Sequence, residues 1–308
     1  MEDESFEGRS RIHPPDQVIE ATGGASGAPT ESAELNRAVR RRESALLIAL
    51  MLAGAVLEYP LALAIKSIDR SEIGRALPFL AITLVLASMV PFALRVNQRL
   101  GLPGAPLIAA KIAGEKMHFG IRSLIRISVG YALLAAVVGG IVLVVVIVPL
   151  IIAHPIAGGT SLPVPPMMKL APGRIAIMGA LVAIAAAVSE EIQFRLVLFA
   201  LFTWIARLLT RDSTSGQSSR GVLWFATLVQ AYAFGLVHLL PLAGAMFHST
   251  PRLLVGALLM PQTWEGIVFG RLYLKRGLEA AMLAHATMDV SLFALAAIGV
   301  LRAHLGAG

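Results

Sequence analysis

The chain has 308 residues, of which 56% are hydrophobic and only 15% charged, and its mean hydropathy is +0.76, a balance too apolar for a soluble domain of this length. Its net charge of +7 comes from basic residues spread over short segments between apolar runs, a pattern that suits orientation on an anionic membrane and argues against nucleic-acid binding. With no cysteine, disulfides, thiolate metal sites and cysteine nucleophiles are excluded, so any chemistry must rest on His, Asp, Glu, Ser or Lys.

Residues 1–40 are rich in Glu, Ser, Gly, Pro and Arg and lack the apolar core of a cleaved signal peptide, which predicts a disordered cytoplasmic tail. Seven apolar segments follow, at 44–65, 76–94, 127–153, 174–208, 222–240, 253–274 and 278–301, each near or above the length a transmembrane helix needs. The fourth is longer than a simple span requires and must tilt or emerge into water. Arg37, Arg40, Arg41 and Arg42 precede the first segment, and Arg95, Arg99, Lys111, Lys116, Arg122 and Arg126 lie between the second and third. That bias predicts a multi-pass protein of the cell (inner) membrane with its N-terminus in the cytoplasm. The stretch 101–120 is weakly amphipathic and reads as lying along the cytoplasmic interface. The expected fold is all-α, a polytopic transmembrane bundle of about seven to eight helices, with 41–173 as N-terminal membrane helices and 174–303 as a second membrane unit.

Ionisable side chains in apolar spans are costly and mark functional positions by default. Here they gather late in the chain: Glu190, Glu191 and Arg195 in the fourth segment, His238 at the end of the fifth, and His285 and Asp289 at the start of the seventh. Helical rotation puts Glu191 and Arg195 on one face and turns Glu190 aside. Glu191 is then expected to neutralise Arg195, leaving Glu190 to point into a cavity as a base. His285 and Asp289, four residues apart, reach one spot, and His238 must join them from a neighbouring helix. A carboxylate, two imidazoles and an Asp around one cavity can hold and deprotonate water with or without a metal ion. Each group also has a plain packing role open to it. Glu58 and Glu265 are further buried acids, suited either to lining a water path or to packing.

Three spacings carry a resemblance: Glu190-Glu191-x-x-x-Arg195, Phe234-x-x-x-His238 and His285-x-x-x-Asp289. In this order, each within a late hydrophobic segment, they resemble the CAAX proteases and bacteriocin-processing enzymes, a family of intramembrane endopeptidases related to the Ras-converting CAAX prenyl protease. The resemblance covers roughly 174–301 and makes 174–303 a catalytic membrane core. It implies that Glu190 activates water, that His238, His285 and Asp289 hold that water or stabilise the oxyanion, that Glu191 belongs to the catalytic set, and that Arg195 and Phe234 give structural support. It leaves open whether the site is a metal-free glutamic one or holds a divalent metal such as zinc, with Glu190, His238, His285 and Asp289 as ligands. The implied partners are a protein or peptide substrate, prenylated in eukaryotic members, and the lipid bilayer.

Two expectations remain to be weighed. His238 lies near the far end of its segment and His285 near the opening of its own, so a shared depth requires that the fifth helix start deeper or stop at Pro241 and the chain 241–261 re-enter. The rival function is a non-proteolytic membrane protein, a proton- or ion-coupled transporter or an immunity scaffold, since intramembrane Glu, His and Asp also build proton relays. A transporter would carry paired broken helices, and the sequence shows no such repeat.

Overall fold

The structure, a computed structural model, describes residues 31–66, 73–115, 120–153, 170–210, 218–246 and 252–306. Of the tail expected to be disordered at 1–40, residues 31–40 are instead helical, as the start of α1, and 1–30 lie outside the described residues, as does most of the Pro-rich loop, 154–169. The chain divides into two compact units, Met1–Arg37 and Ala38–Gly308, and everything that bears on the site belongs to the second.

The described residues are all-helical: α1 Glu31–Lys66, α2 Ile73–Arg99, α3 Pro106–Ala113, α4 Ile121–Val142, α5 Val148–Ala153, α6 Pro172–Glu191, α7 Phe199–Thr210, α8 Arg220–Met246, α9 Arg252–Arg276 and α10 Leu278–Gly306. Two π-helical segments, Leu143–Ile147 and Ile192–Leu198, join α4 to α5 and α6 to α7. Among the described residues, six helical stretches are long and apolar enough to cross a membrane: Leu80–Arg99, Ile121–Leu150, Pro172–Thr210, Arg220–Leu239, Leu253–Arg276 and Leu278–Ala303. Six of the seven expected segments thus have a counterpart. The first, 44–65, falls on α1, whose side chains are described only as far as Glu58. Leu84, Val85, Val144, Val145, Ile177 and Leu295 are exposed on these helices, as lipid-facing residues are, so what holds the bundle together is close packing and buried polar contact rather than exclusion of water.

Small residues set that packing. On α8 and α9, a Cβ built at Gly235 would stand 2.6 Å from Thr263 Oγ1, one at Gly266 2.7 Å from Ala231 Cα, and one at Gly270 2.8 Å from Gln230 Nε2. As the α8 numbers rise the α9 numbers fall, so the two helices run antiparallel with their backbones in near contact. Gln230 Nε2 uses this closeness to donate to the Gly266 carbonyl at 2.9 Å. The turn into α10 needs Gly277, whose φ of +91° is open to glycine and strained for other residues. Its N–H donates to Tyr273 O at 2.8 Å, and the Leu278 N–H donates to Gly104 O at 2.9 Å. Glu279 Oε1 accepts from the Ile108 N–H at 2.8 Å, capping the short helix α3. The start of α10 is therefore plugged by the segment 102–108.

Helix α8 does not stop at Pro241. It runs on to Met246, and α9 begins at Arg252, so the second of the two alternatives, a stop at Pro241, does not occur; residues 247–251 of the stretch that would re-enter lie outside the described residues.

Candidate active site

The site is assembled where α6 passes into its π segment, α8 and α9 form their antiparallel pair, and α10 begins. A π turn takes in one more residue than an α turn, and such segments recur at functional positions. Here the change comes directly after Glu190 and Glu191 and takes in Arg195. Ser189, Glu191 and Arg195 have no solvent-accessible surface, and Glu190 retains 9%.

The two adjacent carboxylates face different partners. Glu190 Oε2 lies 3.7 Å from His238 Nε2 and makes no hydrogen bond, leaving a buried acceptor beside an imidazole nitrogen. His238 Nδ1 lies 2.9 Å from Phe234 O. A carbonyl can only accept, so Nδ1 carries a proton, and a neutral ring then presents the Nε2 lone pair toward Glu190. A helical side chain leans toward the N-terminal turn, and the His238 ring hangs back over Phe234, with ring centroids 4.4 Å apart.

Glu191 bridges two cations or potential cations. Its Oε2 is 3.0 Å from Arg195 Nε, an ion-pair contact whose angle falls outside hydrogen-bond geometry, and its Oε1 is 2.8 Å from His285 Nδ1. On the other side of that ring, Nε2 is 3.3 Å from Asp289 Oδ2. His285 is thus held between two carboxylates, stacked on Phe269 at 5.3 Å and met edge-on by Phe234 at 5.9 Å. The Arg195 guanidinium carbon sits 4.5 Å from the centre of the Phe234 ring, within range of a cation–π contact. Phe234 therefore touches Arg195, His238 and His285 at once.

The residues of the three motifs fall in this region: Glu190, Glu191, Arg195, Phe234, His238, His285 and Asp289 lie within one connected set of contacts. Glu191 does more than neutralise Arg195, because it also fixes His285. Two neighbours were not legible. Phe269 is one more apolar residue in an apolar helix, and Ser189 precedes the paired acids without any spacing that marks it.

The donor set does not fit a metal. Both ring nitrogens of His285 are turned to Glu191 and Asp289, and Nδ1 of His238 is turned to backbone, so the four proposed ligands do not aim at one point. Among the described residues, no group of three or more His, Asp or Glu side chains is arranged to hold a metal ion.

A multi-helix membrane bundle with buried carboxylates and imidazoles gathered beside Glu190 Oε2 defines the class: a polytopic membrane protein with an intramembrane polar site. Residues 172–291 match the family model of the type II CAAX prenyl endopeptidases described as Rce1-like, a stretch that runs from the start of α6 into α10 and contains all three motifs. The resemblance to the CAAX protease and bacteriocin-processing family is supported over that stretch. No curated protein and no solved structure matches the chain.

Proposed function

We propose that this protein is an intramembrane endopeptidase in which Glu190 activates water. The observation that carries the reading is the buried Glu190 Oε2, without a hydrogen-bond partner and 3.7 Å from His238 Nε2, a geometry suited to a water that donates to both acceptors. Glu190 takes one proton of that water while the hydroxide oxygen bonds to the scissile carbonyl carbon. The C–N bond then breaks, the proton passes from Glu190 to the leaving nitrogen, and an acid and an amine are released. His238 orients the water through Nε2. Glu191 and Asp289 hold the His285 ring, Arg195 balances Glu191, and His285 with Asp289 lines the side of the cavity where the oxyanion forms.

The donor set favours this glutamic reading over a metal-dependent one, since His285 is already engaged on both sides. The matched domain supports a membrane-associated peptide as substrate, with a prenylated C-terminus as the first to try. The basic residues flanking the spans favour a cell-membrane protein whose N-terminus and 211–219 loop face the cytoplasm; a cysteine placed at Ser215 that labels only from outside contradicts that orientation. The direct test of function is incubation of the purified protein in detergent or vesicles with a prenylated peptide of CAAX type and with a library of membrane peptides. Release of a C-terminal fragment supports the reading, and absence of cleavage across both sets counts against it.

A further inference from the structure

The site receives one acid from outside the matched segment. Gly54 of α1 lies against α6 so closely that a Cβ there would stand 2.7 Å from Ala185 O and 3.0 Å from Ser189 Cβ. One helical turn further along α1 comes Glu58, half-buried, whose Oε2 accepts from Ser189 Oγ at 3.2 Å. The same hydroxyl lies 3.2 Å from Ala186 O, so its single proton is shared between a backbone and a carboxylate acceptor. Ser189 is the residue before Glu190, so the Glu58 carboxylate is anchored on the residue next to the proposed base. Packing alone does not call for a carboxylate in this place, because the helix approach is already made by Gly54.

We propose that Glu58 is a positioning residue for the hydrolytic reaction: its charge, on the side of Glu190 where Ser189 lies, steers the Glu190 carboxylate away from α1 and toward His238, where the water is held. The proposal rests on the hydrolytic reading of Glu190. It makes α1 part of the working site although it lies outside residues 172–291, and it gives a role to an acid that the reaction itself does not use.

Glu58→Gln separates charge from shape, because the amide oxygen still accepts from Ser189 while the negative charge is gone. Cleavage of a prenylated peptide of CAAX type is measured for this variant beside wild type, Glu58→Asp and Glu190→Gln, with thermal unfolding in detergent recorded for each. The expected result for Glu58→Gln is a kcat lower by about tenfold, the scale of one lost charge–charge term in a partly screened site, with KM and unfolding temperature unchanged and the pH profile of kcat altered. Glu58→Asp recovers most of the rate. Wild-type kcat and an unaltered pH profile in Glu58→Gln overturn the proposal, as does a loss of rate that merely tracks loss of folded protein. If Glu58→Gln does not fold, Ser189→Ala carries the test: a lower kcat at unchanged KM supports the coupling, and a wild-type kcat overturns it. Glu190→Gln distinguishes the two levels. If it cleaves at the wild-type rate, the hydrolytic reading fails together with this proposal; if it is inactive while Glu58→Gln is fully active, only the role of Glu58 fails.

Discussion

Glu191 holds Arg195 and His285 at the same time, with one carboxylate oxygen 3.0 Å from the guanidinium Nε and the other 2.8 Å from the imidazole Nδ1. All three side chains are buried. A single residue of α6 therefore ties the π segment to α10, and the electrostatics of the bundle core and the orientation of a site imidazole depend on the same group.

Arg195→Ala leaves that carboxylate with one partner in place of two. Removing one member of a buried ion pair costs roughly 3–5 kcal/mol, so the variant should unfold at a clearly lower temperature in detergent and lose activity. Glu191→Gln combined with Arg195→Met removes both charges and should restore much of the stability without restoring activity, because His285 loses its charged partner. Equal unfolding temperatures for Arg195→Ala and wild type contradict the pairing.

The approach of α8 to α9 is a second dependency, since it carries His238 to its place. A Cβ at Gly266 would meet Ala231 Cα at 2.7 Å, a backbone contact that no side-chain rotation relieves. Gly266→Ala should cost about 1–3 kcal/mol, as overpacking does, and lower activity through displacement of α8. Gly140→Ala, where a Cβ meets nothing within 4 Å, is the control. If both variants unfold and cleave alike, the close packing of α8 on α9 does not set the site.

Much of this was open to reading in the sequence, and the reasons differ by element. Charged residues in apolar helices are rare enough that Glu190, Glu191, Arg195, His238, His285 and Asp289 stand out without any structure, and helical rotation separates the two acids. The continuation of α8 through Pro241 was not legible. Proline weakens a helix on average, but nothing local tells whether neighbouring helices hold it straight. The π segment was equally hidden, because it carries no composition that an apolar α-helix lacks. Glu58 could be marked as a buried acid, yet its closeness to Ser189 depends on a helix contact over a long sequence separation.

A pH effect on stability follows from Glu43, on α1 before the apolar stretch. Burial, then the nearby Glu279, push its carboxyl up to about 7 against the partial relief of Arg40. An acid whose pKa is raised on folding binds more protons folded than unfolded, so its contribution is fully present below the unfolded value near 4.5 and is lost as pH rises through about 7. The unfolding temperature in detergent should therefore fall more between pH 5 and 7.5 for wild type than for Glu43→Gln. Parallel pH curves for the two proteins rule this out.

In the proposed mechanism Glu190 is the base and Glu191 is the residue that orders the site around it. Both are tested by one comparison, the rate of peptide cleavage by Glu190→Gln and by Glu191→Gln, with folding checked for each. Gln at position 190 keeps the shape and cannot take a proton, so cleavage should fall by at least about 10²–10⁴-fold, the contribution typical of a general base, while the unfolding temperature stays near that of wild type. Glu191→Gln should lose stability as well as rate. Cleavage by Glu190→Gln at close to the wild-type rate would contradict the account, and if Glu191→Gln were inactive with its stability intact, the two carboxylates would have to exchange roles.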